Sequence, residues 1–258
     1  MNNIRNPLPT VQKWETIMQQ LTHSLSICLI TLLLASSLHA NLNYERLNQE
    51  TFTTIYRLNV WGDHESASGP GSSKKQTVKI RNWLPQTLKS LGIQTLLDAP
   101  SGDFNWMKEI DLSFLECYIG VDIVPELVLE NAKRYANSRT LFLHMDITKD
   151  PLPRAQAVLC RDCLTHLSFS DIWAALKNFK KSGAKYLLIS TYPNREVNLD
   201  LQGGNLMHLL RYRPLNFQKA PFHFPAPRTI LLEENTEGNG HIADKSIAVW
   251  EIKDLPID

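Results

Sequence analysis

Ile93-Gln-Thr-Leu-Leu-Asp98 runs directly into Ala99-Pro-Ser-Gly-Asp-Phe-Asn-Trp106. The first half is short and apolar, as in a buried strand, and the second half is a turn that contains Gly102. Glycine lets a ligand approach the backbone closely, and in a sheet of parallel strands the ligands bind at the carboxyl ends of the strands. This stretch therefore predicts the first strand and the first ligand-binding turn of an α/β fold.

Apolar strands and amphipathic helices alternate outward from this stretch. We expect strands at residues 93–97, 117–122, 140–144, 156–160 and 185–190. We expect helices at residues 75–91, 124–135 and 170–182, with Ser170 as the N-cap of the last one. Two further runs, 228–233 and 245–251, predict a closing antiparallel hairpin. Together they predict an α/β fold with a Rossmann-like, doubly wound, mostly parallel sheet.

The composition is that of a folded domain with balanced charge. The chain has 258 residues, of which 43% are hydrophobic, and its 27 basic residues stand against 26 acidic ones. This content excludes a disordered chain, and a net charge of +1 provides no basic surface for nucleic acid. The length suffices for the core of one α/β domain without metal ions or disulfides.

The N-terminal segment differs from the rest of the chain. Its apolar run, residues 25–35, is shorter than the ~20 residues that span a bilayer, and Ser36-Ser-Leu-His-Ala40 follows it. This pattern is typical of a secretory signal or an anchor, so we divide the chain into a segment 1–40 and a domain 41–258. An amphipathic or buried helix is the alternative. A start at Met18 would remove the upstream basic residues, which leaves export, membrane attachment and a cytoplasmic location open.

Aspartates follow the expected strands. Asp98 comes after the first strand, Asp122 ends the second, and Asp146 and Asp162 come just past the third and fourth. Because the carboxyl ends of parallel strands meet at one edge of a sheet, we expect these four carboxylates to lie on the same edge. Asp122 also comes twenty residues after Gly102, a spacing at which an acidic side chain accepts the hydroxyls of an adenosine ribose.

Several segments resemble those of the class I S-adenosylmethionine-dependent methyltransferases. Asp98 to Phe104 resembles their motif I, and Gly120-Val-Asp122 resembles the end of their ribose-binding strand. Met145-Asp-Ile147 resembles the turn beside adenine, and Arg161 to Leu167 resembles motif IV. The order and spacing of these segments, over residues 50–252, carry the resemblance.

More narrowly, the chain resembles a bacterial family of uncharacterised methyltransferases. The segments that carry this likeness are Gly62-Asp-His-Glu-Ser-Ala-Ser-Gly-Pro-Gly-Ser72, the Asp-Ala-Pro-x-Gly-Asp-Phe-Asn-Trp stretch, Arg161-Asp-Cys163, Arg213-Pro-Leu-Asn216 and Pro221-Phe-His-Phe-Pro225. The chain departs from the usual three glycines of motif I. Pro100 and Phe104 replace the first and third, which leaves only Gly102.

The resemblance implies S-adenosyl-L-methionine as cofactor and a small molecule as methyl acceptor. The implied cofactor-binding residues are Asp98, Ala99, Pro100, Gly102, Asp122, Ile123, Asp146, Ile147, Arg161 and Asp162. Negative charge at these strand ends suits a sulfonium cofactor that carries an ammonium group, whereas a dinucleotide needs a Gly-rich phosphate turn. An NAD-dependent oxidoreductase is therefore the weaker interpretation of the same pattern.

His166 is the candidate catalytic base. Methyl transfer to oxygen or nitrogen is an in-line displacement, and a base helps when the nucleophile must lose a proton. Imidazole titrates near neutrality, and His166 follows the fourth expected strand. The alternative is a histidine that only caps the following helix or lines the adenine pocket. Oxygen on a sugar or another secondary metabolite is the expected acceptor.

The irregular stretch 192–227 is expected to cover the substrate. The candidate substrate-binding residues are Trp106, Arg195, Arg213 and Asn216. Phe217, Phe222 and Phe224 would either stack against a substrate or anchor the stretch to the core. The Ser68–Ser72 segment either closes over the cofactor or is a flexible linker.

Two other classes of function stay open. The first is a catalytically silent protein of methyltransferase fold that binds a ligand or partner in the cell envelope or outside the cell. The second is a redox protein, because Cys160-Arg-Asp-Cys163 has the spacing of a redox or half-zinc pair. No second pair follows, so a closed metal site lacks ligands, and we expect no metal. A buried cysteine at the end of a strand is the preferred interpretation of Cys160.

Overall fold

The computed structural model describes residues 48–201, 212–233 and 243–257. Seven strands form its sheet: β1 (Thr95–Asp98), β2 (Cys117–Asp122), β3 (Thr140–His144), β4 (Ala157–Cys160), β5 (Tyr186–Thr191), β6 (Thr229–Leu232) and β7 (Ser246–Glu251). The segment 1–40, expected to be a signal or an anchor, lies outside the described residues. Within these ranges, no helix has both the length and the apolar composition to span a bilayer.

The strands are arranged in the order β3-β2-β1-β4-β5-β7-β6. β1 to β5 are parallel, and β7 runs antiparallel to both β5 and β6. The predicted fold class, with its terminal antiparallel hairpin, is therefore confirmed. The chain moves outward from β1 to one side and then returns to continue from β4 on the other. In such open sheets ligands bind at the carboxyl edge beside this reversal.

The described ranges contain four α-helices: α1 (residues 48–57), α2 (Val78–Ser90), α3 (Pro125–Tyr135) and α4 (Phe169–Lys181). The predicted N-cap at Ser170 is wrong, because α4 begins one residue earlier. Ser168 has the extended backbone of an N-cap, and its side chain accepts a hydrogen bond from the Asp171 amide at 3.2 Å. Ser170 is instead inside the first turn. Pro85 lies within α2 and does not end it.

Each face of the sheet carries its own core. On one face, α4 packs with the apolar residues of 215–224 and 252–257. On the other face, α2 packs with Phe104, Trp106 and the residues that follow them. The connection from β1 to β2 is unusual for a βαβ unit. Residues 99–116 are all described, and they contain one 3₁₀ turn, Met107–Glu109, and no α-helix.

The irregular stretch after β5 is anchored by its aromatic side chains. Phe217, Phe222 and Phe224 are almost fully buried, and their rings contact one another with centroids 4.7 to 6.5 Å apart. Phe224 also packs edge-on against Trp250 of β7. Of the two alternatives for these rings, the structure therefore shows the anchoring one.

Gly120 of β2 has no room for a side chain. A Cβ built there would lie 2.8 Å from the ring of Phe142 and 2.9 Å from Cβ of Ser101. We expect Gly120→Ala to lower the free energy of unfolding by about 1–3 kcal/mol, the usual cost of overpacking. Urea denaturation followed by circular dichroism measures this loss. In a Phe142→Leu background the added penalty should shrink, because the smaller side chain makes room. Strict additivity of the two substitutions would contradict the steric explanation.

Candidate active site

Asp98, the last residue of β1, is buried at the carboxyl edge of the sheet. It is 3% exposed, and the hydroxyl of Tyr118 donates to its Oδ2 at 2.6 Å. Burial raises the pKa of Asp98 to about 7, and the nearby charge of Asp122 acts in the same direction. The hydrogen bond from Tyr118 and the charge of Arg161 act against this rise. A cation that binds beside Asp98 would therefore lower its pKa and favour the ionised carboxylate.

The turn after β1 is held between the two neighbouring strands. The Ala99 amide donates to the Leu159 carbonyl, and the Ser101 amide donates to the Val121 carbonyl, both at 2.8 Å. The peptide bond before Pro100 is cis. Gly102 has φ +55°, a left-handed conformation that glycine adopts readily. The buried Oγ of Ser101 has no hydrogen-bond partner among the described residues, so this turn retains an unsatisfied polar group.

Asp122, at the end of β2, connects this turn to α3. Its Oδ2 accepts from the Gly102 amide at 3.1 Å, and its Oδ1 accepts from the Val124 amide at 3.0 Å. Burial raises the pKa of Asp122 to about 6, although these amides oppose the rise. Next to it, the carbonyl of Ile123 lies 3.0 Å from Nε2 of His144. The two carboxylate oxygens of Asp122 have about four lone-pair sites between them, so they keep acceptor capacity beyond their backbone partners.

The turn after β3 is held by contacts among its own residues and by a hydrogen bond from α4. Oδ1 of Asp146 accepts from both the amide and the hydroxyl of Thr148, and Lys149 Nζ lies 3.0 Å from Oδ2. Ile147 is buried, and its carbonyl accepts from Asn178 of α4 at 3.0 Å. Asp146 and Ile147 therefore form a fixed corner beside the end of β2.

The end of β4 belongs to a buried ion cluster. Arg161 Nε donates to Glu233 at 2.9 Å, and its NH1 lies 3.2 Å from Asp162. Lys245 pairs with Asp162, and its Nζ lies 3.7 Å from Glu233. Burial opposes the charge of Asp162, but Lys245 and Arg161 outweigh it and lower the pKa of Asp162 to about 2. Two cations and two anions thus neutralise one another at this half of the edge.

Residues 63–72, here called the cover loop, lie over the turn after β1. Oδ2 of Asp103 accepts from the Ala67 amide at 2.8 Å and from the Ser66 hydroxyl at 2.9 Å. Ser68 Oγ accepts from the Asp103 amide, and a Cβ added to Gly102 would collide with that same oxygen. This part of the chain is therefore fastened to the edge, not a free linker.

Three further hydrogen bonds hold the cover loop, one near its beginning and two at its end. The side-chain amide of Asn105 donates to Glu65 Oε1 at 2.9 Å and to the Ser72 carbonyl at 3.3 Å. The guanidinium of Arg161 donates to the Gly71 carbonyl at 2.9 Å. Both ends of the loop thus depend on groups at the ends of β1 and β4.

His166 lies in an aromatic environment. It ends the 3₁₀ turn Leu164–His166 after β4 and is 9% exposed. Its ring centroid is 5.8 Å from that of Trp61 and 5.6 Å from that of Tyr212. Tyr192, at the end of β5, is fully buried, and its hydroxyl has no hydrogen-bond partner in the described part of the chain. Neither Trp61 nor Tyr192 was a candidate from the sequence: Trp61 directly precedes the Gly62–Ser72 segment, and Tyr192 is the first residue of the stretch 192–227.

Three of the four candidate substrate-binding residues, Trp106, Arg213 and Asn216, make contacts within the protein that hold them in place. Trp106 is 6% exposed, and the guanidinium carbon of Arg161 lies 5.4 Å from its ring centroid. Arg213 donates to the carbonyls of Thr165, Leu167 and Leu199, and burial lowers its pKa to about 10. Asn216 donates to the carbonyls of Pro193 and Arg195 at 2.9 Å. These bonds tie the stretch after β5 to the edge, and a contact with substrate stays a prediction.

The Cys160–Cys163 pair has no features of a reactive redox site. Both are free thiols, and Cys160 is 1% exposed. Burial raises the pKa of Cys160 well above its ordinary value, whereas a reactive cysteine needs a lowered pKa. In the described ranges, no three His, Cys, Asp or Glu side chains are grouped so that they could hold a metal ion.

Comparison with solved structures identifies the fold. The 1,6-didemethyltoxoflavin-N1-methyltransferase of Burkholderia thailandensis, solved with 1,6-didemethyltoxoflavin and S-adenosylhomocysteine, matches with a TM-score of 0.51. The sequences are 16% identical, and the match covers 80% of this chain and 88% of that one. The chain has the fold of class I methyltransferases. The sequence matches no protein-family model and has no significant match among curated proteins.

Two other solved structures align with this methyltransferase fold less closely. The methyltransferase domain of bacterial CtHen1 is 15% identical, with 67% of this chain and 97% of that chain covered and a TM-score of 0.46. Human N-acetylserotonin methyltransferase, in complex with S-adenosylmethionine, is 19% identical, with 77% and 58% covered and a TM-score of 0.42.

The raised pKa of Asp98 predicts a pH dependence of stability. In the folded protein the Asp98 carboxyl group keeps its proton up to about pH 7, whereas the ordinary pKa of aspartate is 3.8. The protonated group therefore stabilises the fold fully below the ordinary pKa. This stabilisation is lost as the pH rises through the folded pKa of about 7. We expect the free energy of unfolding to fall between about pH 4 and pH 7, by about 1.4 kcal/mol per unit at most from this group, and Asp98 to contribute no further loss above that range. Asp98→Asn should flatten this slope in urea titrations, and Asp111→Asn, at an exposed site, should preserve it. An unchanged slope in Asp98→Asn would contradict the assignment.

The contacts of Asp103 predict how the cover loop opens. Asp103→Ala removes the acceptor of the Ala67 amide and the Ser66 hydroxyl. We expect the Ala67 amide to exchange with deuterium about tenfold faster, the effect of losing one charge-assisted hydrogen bond. Hydrogen exchange with peptide-level mass spectrometry measures this rate. Asp111→Ala is the matched control, and equal exchange in all three proteins would show that Asp103 does not hold the loop.

Proposed function

We propose that this protein is an S-adenosylmethionine-dependent methyltransferase that acts on a small molecule. The observation that carries the proposal is the pair of buried carboxyl groups, Asp98 and Asp122, on either side of one turn at the reversal of strand order. Both have raised pKa values, so each gains most from a ligand that brings positive charge or hydroxyl donors.

The residues at this edge fit the proposed cofactor. Asp122 retains acceptor capacity on both oxygens, which suits the two hydroxyls of a ribose. Asp98 suits the ammonium of the methionine part, and the buried Ser101 hydroxyl supplies a polar group that lacks a partner. The Burkholderia methyltransferase of the same fold was solved with S-adenosylhomocysteine. When bound, S-adenosylmethionine supplies an electrophilic methyl group on a sulfonium sulfur.

The other proposed cofactor-binding residues serve as walls of the pocket. Ala99, Pro100 and Gly102 form the turn after β1, and their backbone is one wall. Ile123, Asp146 and Ile147 form the corner beside adenine. We assign Arg161 and Asp162 to the opposite wall. Their charges are already balanced by Glu233 and Lys245, so they would shape the pocket and add no net charge to it.

His166 is the proposed base for an oxygen acceptor. It is almost buried, it follows β4, and aromatic rings lie on two of its sides. A partly dehydrated imidazole in this position can take a proton from an acceptor hydroxyl as the new bond to carbon forms. Trp106 and Arg195 are proposed acceptor contacts. Arg213 and Asn216 are proposed positioning residues, because their donors already hold the stretch after β5.

The division of the chain at residue 40 belongs to the same proposal. The catalytic domain is residues 41–258. Residues 1–40 direct export or membrane attachment. If translation starts at Met18, the first 17 residues are not part of the protein. The acceptor is a small molecule in either case, and oxygen is the preferred acceptor atom.

Removal of the Asp122 carboxylate tests the cofactor site. Isothermal titration calorimetry with S-adenosylmethionine and S-adenosylhomocysteine should show binding to the wild-type chain. Asp122→Ala should weaken it at least tenfold, because two hydroxyl-to-carboxylate hydrogen bonds are lost. Asp122→Asn preserves the shape of the side chain and keeps one carbonyl oxygen that can accept from the Gly102 or Val124 amide. Its affinity for the cofactor should lie between those of the wild type and Asp122→Ala.

Asp111→Ala, at an exposed position away from the edge, is the matched control and should bind like the wild type. A folded wild-type chain that binds neither compound would contradict the proposal and favour a silent binding protein of the same fold. Equal affinity in Asp122→Ala would show that Asp122 does not hold the ribose.

A further inference from the structure

A cavity of about 280 Å³ lies beside the connection between β1 and β2. Tyr118 and Thr140, among its lining residues, belong to the beginnings of β2 and β3, whereas Asp122 ends β2. Four residue steps along the strand, about 13 Å, take the backbone from Tyr118 to Asp122. The cavity therefore lies towards the opposite end of the strands, although Tyr118, one of its lining residues, reaches Asp98 with its hydroxyl. The proposed function does not use the cavity.

The cavity exists because a helix is missing. In most βαβ units a helix covers this face, but here residues 99–116 cross with only the 3₁₀ turn Met107–Glu109. The side chains that the helix would have covered therefore line an open space. Among them, Met107 is 1% exposed and Leu115 is 3% exposed, so closely packed apolar side chains form the inner part of the wall.

Three aromatic rings give the cavity its shape. The centroid of Phe104 lies 5.3 Å from that of Tyr118 and 5.2 Å from that of Tyr135. All three residues line the cavity. Grouped rings of this kind bind flat apolar groups by stacking or by edge-to-face contact.

The mouth of the cavity is positively charged. Lys108 and Arg139 line it, and none of its twelve lining residues is acidic. Arg139 donates to the Ser113 carbonyl at 3.0 Å, and Lys108 donates to Asn105 Oδ1 at 3.1 Å, so both of these hydrogen bonds go to neutral groups. Glu109 and Asp111 are the acidic residues nearest to Lys108 in the sequence, and Lys108 contributes to the lowered pKa of Glu109 after Lys74.

Both of these acidic residues have other partners. Glu109 lies 3.0 Å from Lys74, and Asp111 accepts from the Ser113 amide at 2.9 Å. The guanidinium of Arg139 has five N–H donors and uses one of them in the contact with Ser113. Its remaining donors are therefore available to a carboxylate, and its charge is not balanced by a direct ion pair.

We propose that this cavity is a second binding site, for a small aromatic acid. The ring of the ligand lies against Phe104, Tyr118 and Tyr135, and its carboxylate is bound by Arg139 with Lys108 nearby. The volume is at the low end for ligand pockets, which span roughly 300–1,000 Å³, so the ligand has one or two rings. The site does not depend on the proposed methyltransferase activity.

The probes for the test are 2-naphthoate, the neutral 2-naphthalenemethanol and the cationic 2-naphthylmethylammonium. The full chain is labelled with [¹³C-methyl]methionine, because Met107 lines the cavity and Met145 lies outside it. The chain has five methionines, and Met107→Leu assigns the signal. A bound aromatic ring should shift the Met107 methyl signal by its ring current and leave that of Met145 unchanged.

We expect 2-naphthoate to shift the Met107 signal with a dissociation constant of about 1 mM or lower, and the neutral probe to bind at least fivefold more weakly. The cationic probe should not bind. Arg139→Gln should weaken 2-naphthoate binding about tenfold, because the charge-assisted hydrogen bonds are lost. Arg134→Gln is the matched control and should have no effect, since Arg134 pairs with Glu130 and does not line the cavity.

Three outcomes would overturn the proposal. The first is no shift of the Met107 signal at 10 mM 2-naphthoate, about ten times the expected dissociation constant. The second is a shift at Met145 alone, which would place the probe elsewhere. The third is equal binding of the acid and the alcohol together with no effect of Arg139→Gln, which would leave only an unselective apolar gap.

Discussion

Two hydrogen bonds to the carboxylate of Asp122, from the amides of Gly102 and Val124, hold the functional edge in its shape. They connect the turn after β1 to the start of α3, across two strands that are neighbours in space but twenty residues apart in the chain. A buried carboxylate is costly unless it is hydrogen-bonded, and these two amides offset that cost only in part. The pKa of Asp122 therefore remains raised, and the group is available to a ligand as well as to the fold.

The two halves of the carboxyl edge differ in whether their buried carboxyl groups are paired with cations. Among the described residues, none of the ion pairs involves Asp98 or Asp122, and burial raises the pKa of both. Asp162 is the same type of residue one strand away, but Lys245 and Arg161 hold its pKa at about 2. One half of the edge therefore holds unpaired buried carboxyl groups, which is the half that we propose binds the cofactor, and the other half holds a balanced ion cluster. The cover loop joins the halves, since it is held by Asp103 on one side and by Arg161 on the other.

The positions of the strands could be predicted from the sequence because they depend on local composition. The bounds of β2 and β3 agree with the apolar runs at 117–122 and 140–144, and the strand ends bring Asp98 and Asp122 together as expected. The N-cap of α4 could not be fixed, because Ser168 and Ser170 offer the same chemistry two residues apart and only the backbone conformation decides between them.

The partners of charged residues depended on contacts far apart in the chain. Arg161 pairs with Glu233, 72 residues away, and no local pattern indicates this. The same holds for Arg213 and Asn216, whose polar side chains suggested substrate binding but bind backbone carbonyls of the irregular stretch and of the turn after β4. The missing helix between β1 and β2 was visible in the sequence only as a lack of helical periodicity after Trp106, which is weak evidence without the structure.

A crystal structure of the full chain with S-adenosylhomocysteine would locate the cofactor site. We expect the ligand beside the turn of residues 99–104, with its ribose hydroxyls within hydrogen-bond distance of the Asp122 carboxylate and its amino group near Asp98. A ligand bound elsewhere, or an Asp122 carboxylate that contacts only the Gly102 and Val124 amides while the ligand is present, would contradict this expectation.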